Sequence, residues 1–257
     1  MAKAEQTQVV ALVTGAGRRI GRAIAEYLGA HGFSIAVHAR SSKNDAEETV
    51  RRIRAVGGKA EVFLADLNEA KDVDWLMDAV ADSLGTPQIL VNNASIFEPD
   101  TAEAFDPDLF DAHMAIHIKA PVQLTAAMAR RLGEDAEGLV VNMIDQRVWK
   151  LSPGFFSYTL SKSALLTATQ TLAMAYAPKI RVNAIGPGPS LKSARQDPGD
   201  FRKQTESVLL ERGPDLDEFG ATIRYLWSAR SVTGQMIALD GGQHLAWETP
   251  DIANMTE

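Results

Sequence analysis

The chain has 257 residues, 46% of them hydrophobic, which is enough for one large α/β domain and short for two. Its net charge of −7 argues against nucleic acid or a membrane surface as a partner, because both select a basic face. The absence of cysteine excludes disulfides and cysteine zinc sites, and the five histidines lack zinc-ligand spacing, so no metal is expected.

Strands and helices alternate through the first half of the chain. Residues 1–8 are polar and carry no signal pattern, and no apolar run approaches the roughly 20 residues that span a bilayer, so we expect a soluble, cytoplasmic protein. Apolar, β-branched runs predict strands at residues 9–14, 34–38, 60–65 and 89–92, and helical periodicity predicts helices at 20–31, 45–56 and 69–83. This alternation predicts a parallel sheet with helices on both faces.

The second half continues the alternation. The patterns predict a long helix at 108–132, a strand at 139–144, a helix at 158–177, a strand at 181–185, a helix at 217–228 and a strand at 236–239. Residues 191–214 have mixed charge and poor periodicity, which predicts a substrate lid with a short helix at 201–210. No repeat or linker divides the chain, so we expect one domain over residues 1–257.

Tyr158 and Lys162 stand four residues apart at the head of a predicted helix, so both lie on one helix face. An adjacent cation would lower the phenol pKa from about 10 towards neutrality, which predicts a general acid. Asp145 follows the strand at 139–144 and should lie at the carboxyl edge of the sheet, where such sheets bind ligands. The alternative is structural, with Tyr158 capping a core helix, Lys162 solvated and Asp145 starting a turn.

A glycine-bearing turn, Thr14-Gly15-Ala16-Gly17-Arg18-Arg19-Ile20-Gly21, joins the first strand to the first helix. Backbone amides and a helix N-terminus at that place can bind a pyrophosphate, so Gly15, Arg18, Arg19, Ile20 and Gly21 are predicted cofactor contacts. The two arginines would add cationic donors for a phosphate-bearing ligand. An ordinary βα turn with solvated arginines is the alternative.

The ends of the next strands carry further candidate cofactor residues. His38, Arg40 and Ser41 stand where a carboxylate would bind the ribose of NAD, and a guanidinium with hydroxyls instead suits a 2′-phosphate, so NADP(H) is favoured. Asp66, beside Leu67, would take the adenine amino group or cap a helix. Asn93 and Ala94 would line the cofactor or bridge neighbouring strand ends, although Asn92-Asn93 is also a turn signal.

These motifs together resemble the short-chain dehydrogenase/reductase family along nearly the whole chain. In chain order, the motifs are the turn at 14–21, Asn92-Asn93-Ala94, Tyr158-x-x-x-Lys162, Pro187-Gly188, and the segment 233–242, which ends in Asp240-Gly241-Gly242. The resemblance implies a Rossmann-type doubly wound sheet of about seven strands, NAD(P)-dependent hydride transfer and a homotetramer. It also implies Tyr158 as proton donor, Lys162 as the nicotinamide-ribose ligand that lowers the tyrosine pKa, and Pro187, Gly188 and Ser190 as cofactor contacts.

Three departures from the family pattern narrow the resemblance. Most of the family has glycine at Arg19, serine at Asp145 and asparagine at His117. Arg19 and Asp145 look like the pteridine reductase branch, which has an Asp, Tyr and Lys active site with the same spacings. His117, ahead of Ala120-Pro121, resembles the bacterial dihydromonapterin reductase version.

Two further matches point to the same branch. Asn93-Ala94-Ser95-Ile96-Phe97 is similar to a segment in which the serine contacts cofactor and the phenylalanine stacks on the pterin. Arg40 and Ser41 match the NADP-binding pair of that branch. A core phenylalanine is the alternative for Phe97.

We therefore predict an NADPH-dependent reductase of a pteridine of the dihydrobiopterin, dihydromonapterin or dihydrofolate type. Arg19, Ser95, Phe97, Asp145 and Tyr158 would bind the substrate, with Lys162 completing the catalytic set and the 191–214 lid closing over it. Asp145 would hold a proton or accept hydrogen bonds from the pterin, and a carboxylate there would repel an alkoxide, which argues against a plain ketone reductase. A carbonyl or 3-oxoacyl reductase and a non-catalytic NADP(H) sensor are the alternatives.

Overall fold

Seven parallel strands form one sheet in the order β3-β2-β1-β4-β5-β6-β7. They are β1 (Val10–Val13), β2 (Ser34–Ala39), β3 (Lys59–Leu64), β4 (Ile89–Asn92), β5 (Gly138–Met143), β6 (Ile180–Pro187) and β7 (Met236–Leu239). The computed structural model describes residues 8–192 and 195–247, so residues 1–7, two positions of the predicted lid and residues 248–257 lie outside the described part. The seven predicted strands and the doubly wound fold are confirmed within it.

Eight α-helices cover the two faces of the sheet. They are α1 (Arg19–Ala30), α2 (Lys43–Ala55), α3 (Ala70–Leu84), α4 (Pro107–Met114), α5 (Ala120–Arg131), α6 (Phe156–Tyr176), α7 (Pro198–Glu206) and α8 (Leu216–Ser228), counted in the described residues. Side chains of β1 alternate between two cores: Ala11 and Val13 pack with α1, α2 and α8, whereas Val10 and Leu12 pack with α3 and α5. Both faces of this central strand are therefore buried.

The predicted helix at 108–132 contains a change of helical form. A π-helical turn at Ala115–Lys119 separates α4 from α5. Pro121 has no N–H to give to the carbonyl of His117, four residues earlier, so the ordinary α-helical bond cannot form there. The irregular turn lies beside the candidate active site and carries the buried His117.

The predicted helix bounds agree with the observed ones to within two residues except in the lid region. α6 begins at Phe156, two residues before the predicted start. In the lid region, the helix is α7 (Pro198–Glu206) and not 201–210, because the Asp197 side chain accepts a hydrogen bond from the Gly199 N–H and Pro198 starts the first turn. An aspartate followed by proline is a start signal that periodicity alone does not reveal.

The chain winds outward from β1 in both directions, because β1 pairs with β2 on one side and with β4 on the other. Ligands of doubly wound sheets bind at the carboxyl edge beside such a switch point. Within the described residues, no helix is long and apolar enough to cross a membrane. Nor does that part of the chain bring together three or more metal-ligating side chains.

Candidate active site

The turn between β1 and α1 folds back tightly over the end of β4. Gly15 has a φ of +64°, and a Cβ at Gly21 would collide with the Gly15 carbonyl oxygen. The Asn93 side-chain amide donates to the carbonyl oxygens of Thr14 at 2.8 Å and Gly15 at 3.2 Å. Asn93 therefore takes the bridging role that the sequence left open, and it fixes the turn from the neighbouring strand.

His38 supports the same turn from β2. The Gly15 N–H donates to Nδ1 at 3.2 Å, so Nε2 carries the proton and donates to the Ala65 carbonyl oxygen at 3.0 Å. Burial lowers the pKa of His38 to about 4, which keeps the ring neutral. The predicted contact of this ring with a cofactor is revised to a supporting role, because both nitrogens already have protein partners.

The start of α1 fits the diphosphate of a dinucleotide. Its N-cap residue, Arg18, makes no side-chain capping bond, and the first turn of the described helix holds no acidic residue. First-turn amides without a protein acceptor are suited to an anion. Arg18, Arg40 and Ser41 are exposed at this edge of the sheet, where they can reach phosphate groups.

The remaining predicted cofactor residues lie around the same edge. Leu67 is buried, whereas Asp66 is half-buried and its Oδ1 accepts the Asn68 N–H at 3.0 Å, so it forms a local turn with one oxygen. Ile20 and Ala94 are half-buried beside the glycine turn. Across the sheet, β6 ends at Pro187, a Cβ on Gly188 would lie 2.5 Å from Asp240 Cα, and the Ser190 hydroxyl donates to the Gly188 carbonyl oxygen at 3.0 Å.

The predicted catalytic residues meet at the end of β5. The Tyr158 hydroxyl donates to Asp145 Oδ2 at 3.0 Å, and Asp145 Oδ1 accepts the Arg147 N–H at 2.9 Å. Lys162 Nζ donates to the Met143 carbonyl oxygen at 2.7 Å and lies 5.6 Å from the centre of the Tyr158 ring. Tyr158, Lys162 and Asp145 are thus brought together as predicted.

The electrostatics of this set differ from the sequence expectation. Burial and the neighbouring Asp145 carboxylate raise the pKa of Tyr158 well above its ordinary value. Burial raises the pKa of Asp145 and lowers that of Lys162 to about 8. The expected lowering of the tyrosine pKa by Lys162 is therefore absent here, because the ammonium bonds to Met143 and the carboxylate lies closer to the phenol.

An aromatic pair forms one wall beside Tyr158. The rings of Phe97 and Phe155 stack with centres 4.3 Å apart, and Phe97 meets the Tyr158 ring edge-on at 4.8 Å. The Arg147 guanidinium lies 5.1 Å from the centre of the Phe155 ring. The sequence analysis did not identify Phe155 and Arg147. Their contacts with the Phe97 wall form only when the loops after β4 and β5 meet, and sequence spacing does not predict this.

Phe155 also has an unusual backbone, with a φ of +59° immediately before α6. Such a conformation costs an ordinary residue about 1 kcal/mol and tends to persist at functional sites. Asp100, missed as well, lies at the same helix end, where its carboxylate accepts the Ser157 N–H at 3.1 Å. Asp100 therefore ties the segment that carries Phe97 to the helix that carries Tyr158.

Arg19 and Arg195 connect the predicted lid to the rest of the site. Arg19 has a φ of +56°, and its guanidinium donates to the carbonyl oxygens of Leu191 at 3.2 Å and Lys192 at 3.0 Å. Arg195 donates to the Phe97 carbonyl oxygen at 2.6 Å and pairs with Glu98. The start of the lid region therefore contacts both the α1 turn and the aromatic wall.

Comparisons with known proteins agree with this fold. Residues 9–199 match the family model described as short chain dehydrogenase. FolM alternative dihydrofolate reductase 1 from Brucella suis, solved in complex with NADP, is 57% identical, with a TM-score of 0.93 over 96% of this chain and 99% of that one. The Brucella canis protein, complexed with NADP, is 56% identical, with a TM-score of 0.93 over 96% and 98% of the two chains.

A curated relative shows the breadth of the family. Glucose 1-dehydrogenase 2 from Bacillus subtilis is 30% identical over 248 residues, covering 93% of this chain and 96% of the relative. The match of the family model to most of the chain confirms the resemblance that was carried by the glycine turn and the Tyr158 and Lys162 pair. The chain is an oxidoreductase that belongs to the short-chain dehydrogenase family.

Proposed function

We propose that the protein is an NADPH-dependent reductase of a dihydropterin-type substrate. The observation that carries the proposal is the hydrogen bond of 3.0 Å between the Tyr158 hydroxyl and Asp145 Oδ2, beside the Phe97 ring. The similarity to the two FolM structures in complex with NADP supports both the cofactor and the substrate class. Exposed Arg40 and Ser41 at the end of β2 suit the 2′-phosphate that distinguishes NADP from NAD.

Reduction of a ring C=N requires a hydride at carbon and a proton at nitrogen. The dihydronicotinamide of NADPH supplies the hydride when it is bound. Tyr158 holds its proton firmly, since burial and Asp145 raise its pKa, and the hydroxyl is therefore a donor at neutral pH. The Asp145 carboxylate, whose pKa burial also raises, can take up a proton from solvent and pass it to the tyrosine oxygen after the transfer.

The same pair disfavours reduction of a plain ketone. An alkoxide that develops near the Tyr158 hydroxyl would face the Asp145 carboxylate at close range, and like charges there raise the barrier. Protonation of a ring nitrogen produces no oxyanion, so the carboxylate is tolerated. It can also accept N–H bonds from an amino-pyrimidine ring.

Phe97 supplies a flat apolar face for a bicyclic ring. Its ring is backed by Phe155 and braced by the edge of Tyr158, so its plane is fixed before a ligand arrives. Offset stacking on such a ring contributes about 1 kcal/mol beyond burial. The Arg19 guanidinium and the 191–214 lid would close the remaining side of the substrate.

The direct test is NADPH oxidation with dihydrobiopterin, dihydromonapterin or dihydrofolate, beside a ketone and a 3-oxoacyl thioester. We expect turnover of at least one dihydropterin and a loss of at least about 100-fold in Tyr158→Phe. Turnover of the ketone or thioester alone would replace the proposal by a carbonyl reductase. Tight NADPH binding without turnover of any substrate would identify a nucleotide sensor.

Two expectations from the sequence remain predictions, the homotetramer that the resemblance implies and the cytoplasmic location. α6 exposes Leu160 and Met174, with 43% and 78% of their surfaces open in the single chain, which suits burial against a second copy. Light scattering after gel filtration would give about four times the chain mass for the tetramer. A monomer mass would contradict it.

A further inference from the structure

A row of hydrogen-bonded side chains runs from the mouth of the site into α6. The Ser95 hydroxyl lies 2.8 Å from His117 Nε2, and His117 Nδ1 lies 2.8 Å from the Ser161 hydroxyl. Ser161 Oγ lies 2.7 Å from the Tyr158 carbonyl oxygen. Ser95 is exposed at the end of β4, whereas His117 is 1% exposed.

The row ends at the Tyr158 carbonyl oxygen, and this acceptor fixes which atom donates in each hydrogen bond of the row. A carbonyl oxygen only accepts, so the Ser161 hydroxyl donates to Tyr158. Ser161 must then accept from His117, which places the ring proton on Nδ1. A neutral ring with that tautomer has a bare Nε2, and Nε2 can only accept the hydrogen of Ser95.

The ring is held neutral by its surroundings. Burial, and then the charges of Lys162 and His113, lower the pKa of His117 far below its ordinary value. His113 stacks on it with ring centres 5.5 Å apart. The Ile96 carbonyl oxygen is a second acceptor near Ser95, but at 3.2 Å it is farther than Nε2 at 2.8 Å.

We propose that His117 is a positioning residue. Its Nε2 accepts the hydrogen of the Ser95 hydroxyl, so the Ser95 oxygen can only accept a hydrogen bond from the ligand. The site would then select an N–H donor at this point and reject an acceptor. Two N–H donors have the required chemistry, namely the carboxamide of the nicotinamide and the amino group of a pterin pyrimidine. The second source rests on the proposed function.

Four variants test the coupling: His117→Leu, His117→Gln, Ser95→Ala and the double variant of His117→Leu with Ser95→Ala. Calorimetry measures the affinity for NADP and its 3-acetylpyridine analogue, which lacks the amide N–H. In the presence of NADP, it also measures the affinity for a 2-amino pteridine and for its 2-oxo counterpart. Thermal unfolding checks that each variant folds.

We expect an approximately tenfold loss of affinity for one N–H-bearing ligand in His117→Leu and in Ser95→Ala, with no further loss in the double variant. The matched analogue without the N–H should bind each variant as it binds the wild type. His117→Gln should recover most of the affinity, because its amide offers one acceptor and one donor. If His117→Leu does not fold, His117→Phe takes its place, because its ring fills the same space and has no acceptor nitrogen for Ser95.

Three results would each overturn the role of His117. They are additive losses of affinity in the double variant, equal losses for both members of a ligand pair, and no loss of affinity in any variant. A loss confined to NADP would assign the donor to the cofactor, and one confined to the 2-amino pteridine would assign it to the substrate. If the wild type binds no pteridine, the proposed function fails. The NADP pair then decides alone on His117.

Discussion

The neutral His38 ring makes the fold sensitive to acid in a defined range. Its folded-state pKa of about 4 lies below the ordinary value of 6.5, because burial disfavours the charged ring. Between these two pH values the unfolded chain binds a proton that the native chain does not. This contribution to stability is therefore complete above pH 6.5 and is lost as the pH falls towards 4.

The magnitude follows from the two pKa values. A separation from 6.5 to about 4, at about 1.36 kcal/mol for each pH unit, gives about 3 kcal/mol. Protonation would also remove the acceptor for the Gly15 N–H, so the loss should appear first at the cofactor turn. NADP binding to the folded protein should weaken as well, but only as the pH approaches 4, where the native ring takes up its proton.

The assay is urea unfolding of the wild type and His38→Gln from pH 7 to 4. As the pH falls across this range, the wild type should lose about 3 kcal/mol of unfolding free energy relative to His38→Gln, because only the wild type carries the titrating ring. His31→Gln, at an exposed position, is the matched control and should follow the wild type. Parallel curves for the wild type and His38→Gln would refute the assignment of a buried neutral ring.

The remaining predictions concern one buried cation and two arginines. Lys162→Met should lose about 3 kcal/mol of unfolding free energy relative to the wild type as the pH rises from 8 to 10.5, because burial lowers the pKa of Lys162 from 10.5 to about 8 and only the wild type gains stability over that range. Arg19→Gly should be about 1 kcal/mol more stable than Arg19→Ala in urea unfolding, because both variants lose the guanidinium bonds and only alanine is strained at a φ of +56°. At Arg18, with a φ of −157°, glycine should have no such advantage over alanine. Arg19→Gly should also raise the KM for the dihydropterin about tenfold. Arg40→Asp should lower the ratio of kcat/KM for NADPH over NADH on the order of 100-fold, and an unchanged ratio would remove Arg40 from 2′-phosphate recognition.

The sequence predicted those parts of the fold and site that depend on local pattern. The parallel sheet follows from alternating elements, and Tyr158 lies beside Lys162 because residues four apart share a helix face. Asp145 could be placed because it ends a strand, and the carboxyl ends of parallel strands share one edge. Each of these inferences needs only periodicity and the topology that it implies.

The missed features depend on contacts between distant loops. Phe155 and Arg147 stack beside Phe97 only after the loops following β4 and β5 have met, and no spacing encodes this. Asp100 caps α6 from 57 residues away, so no local capping signal exists. The shift of the Tyr158 pKa reversed its expected direction for the same reason, since burial and the Asp145 contact are tertiary effects.

Asp145 carries the central claim, because it separates a dihydropterin reductase from a carbonyl reductase of the same family. The decisive measurement is kcat/KM of the wild type and Asp145→Ser for a dihydropterin and for a ketone, with NADPH saturating. We predict that Asp145→Ser lowers dihydropterin reduction on the order of 100-fold and keeps or raises ketone reduction. Retained or increased dihydropterin reduction in Asp145→Ser would contradict the account.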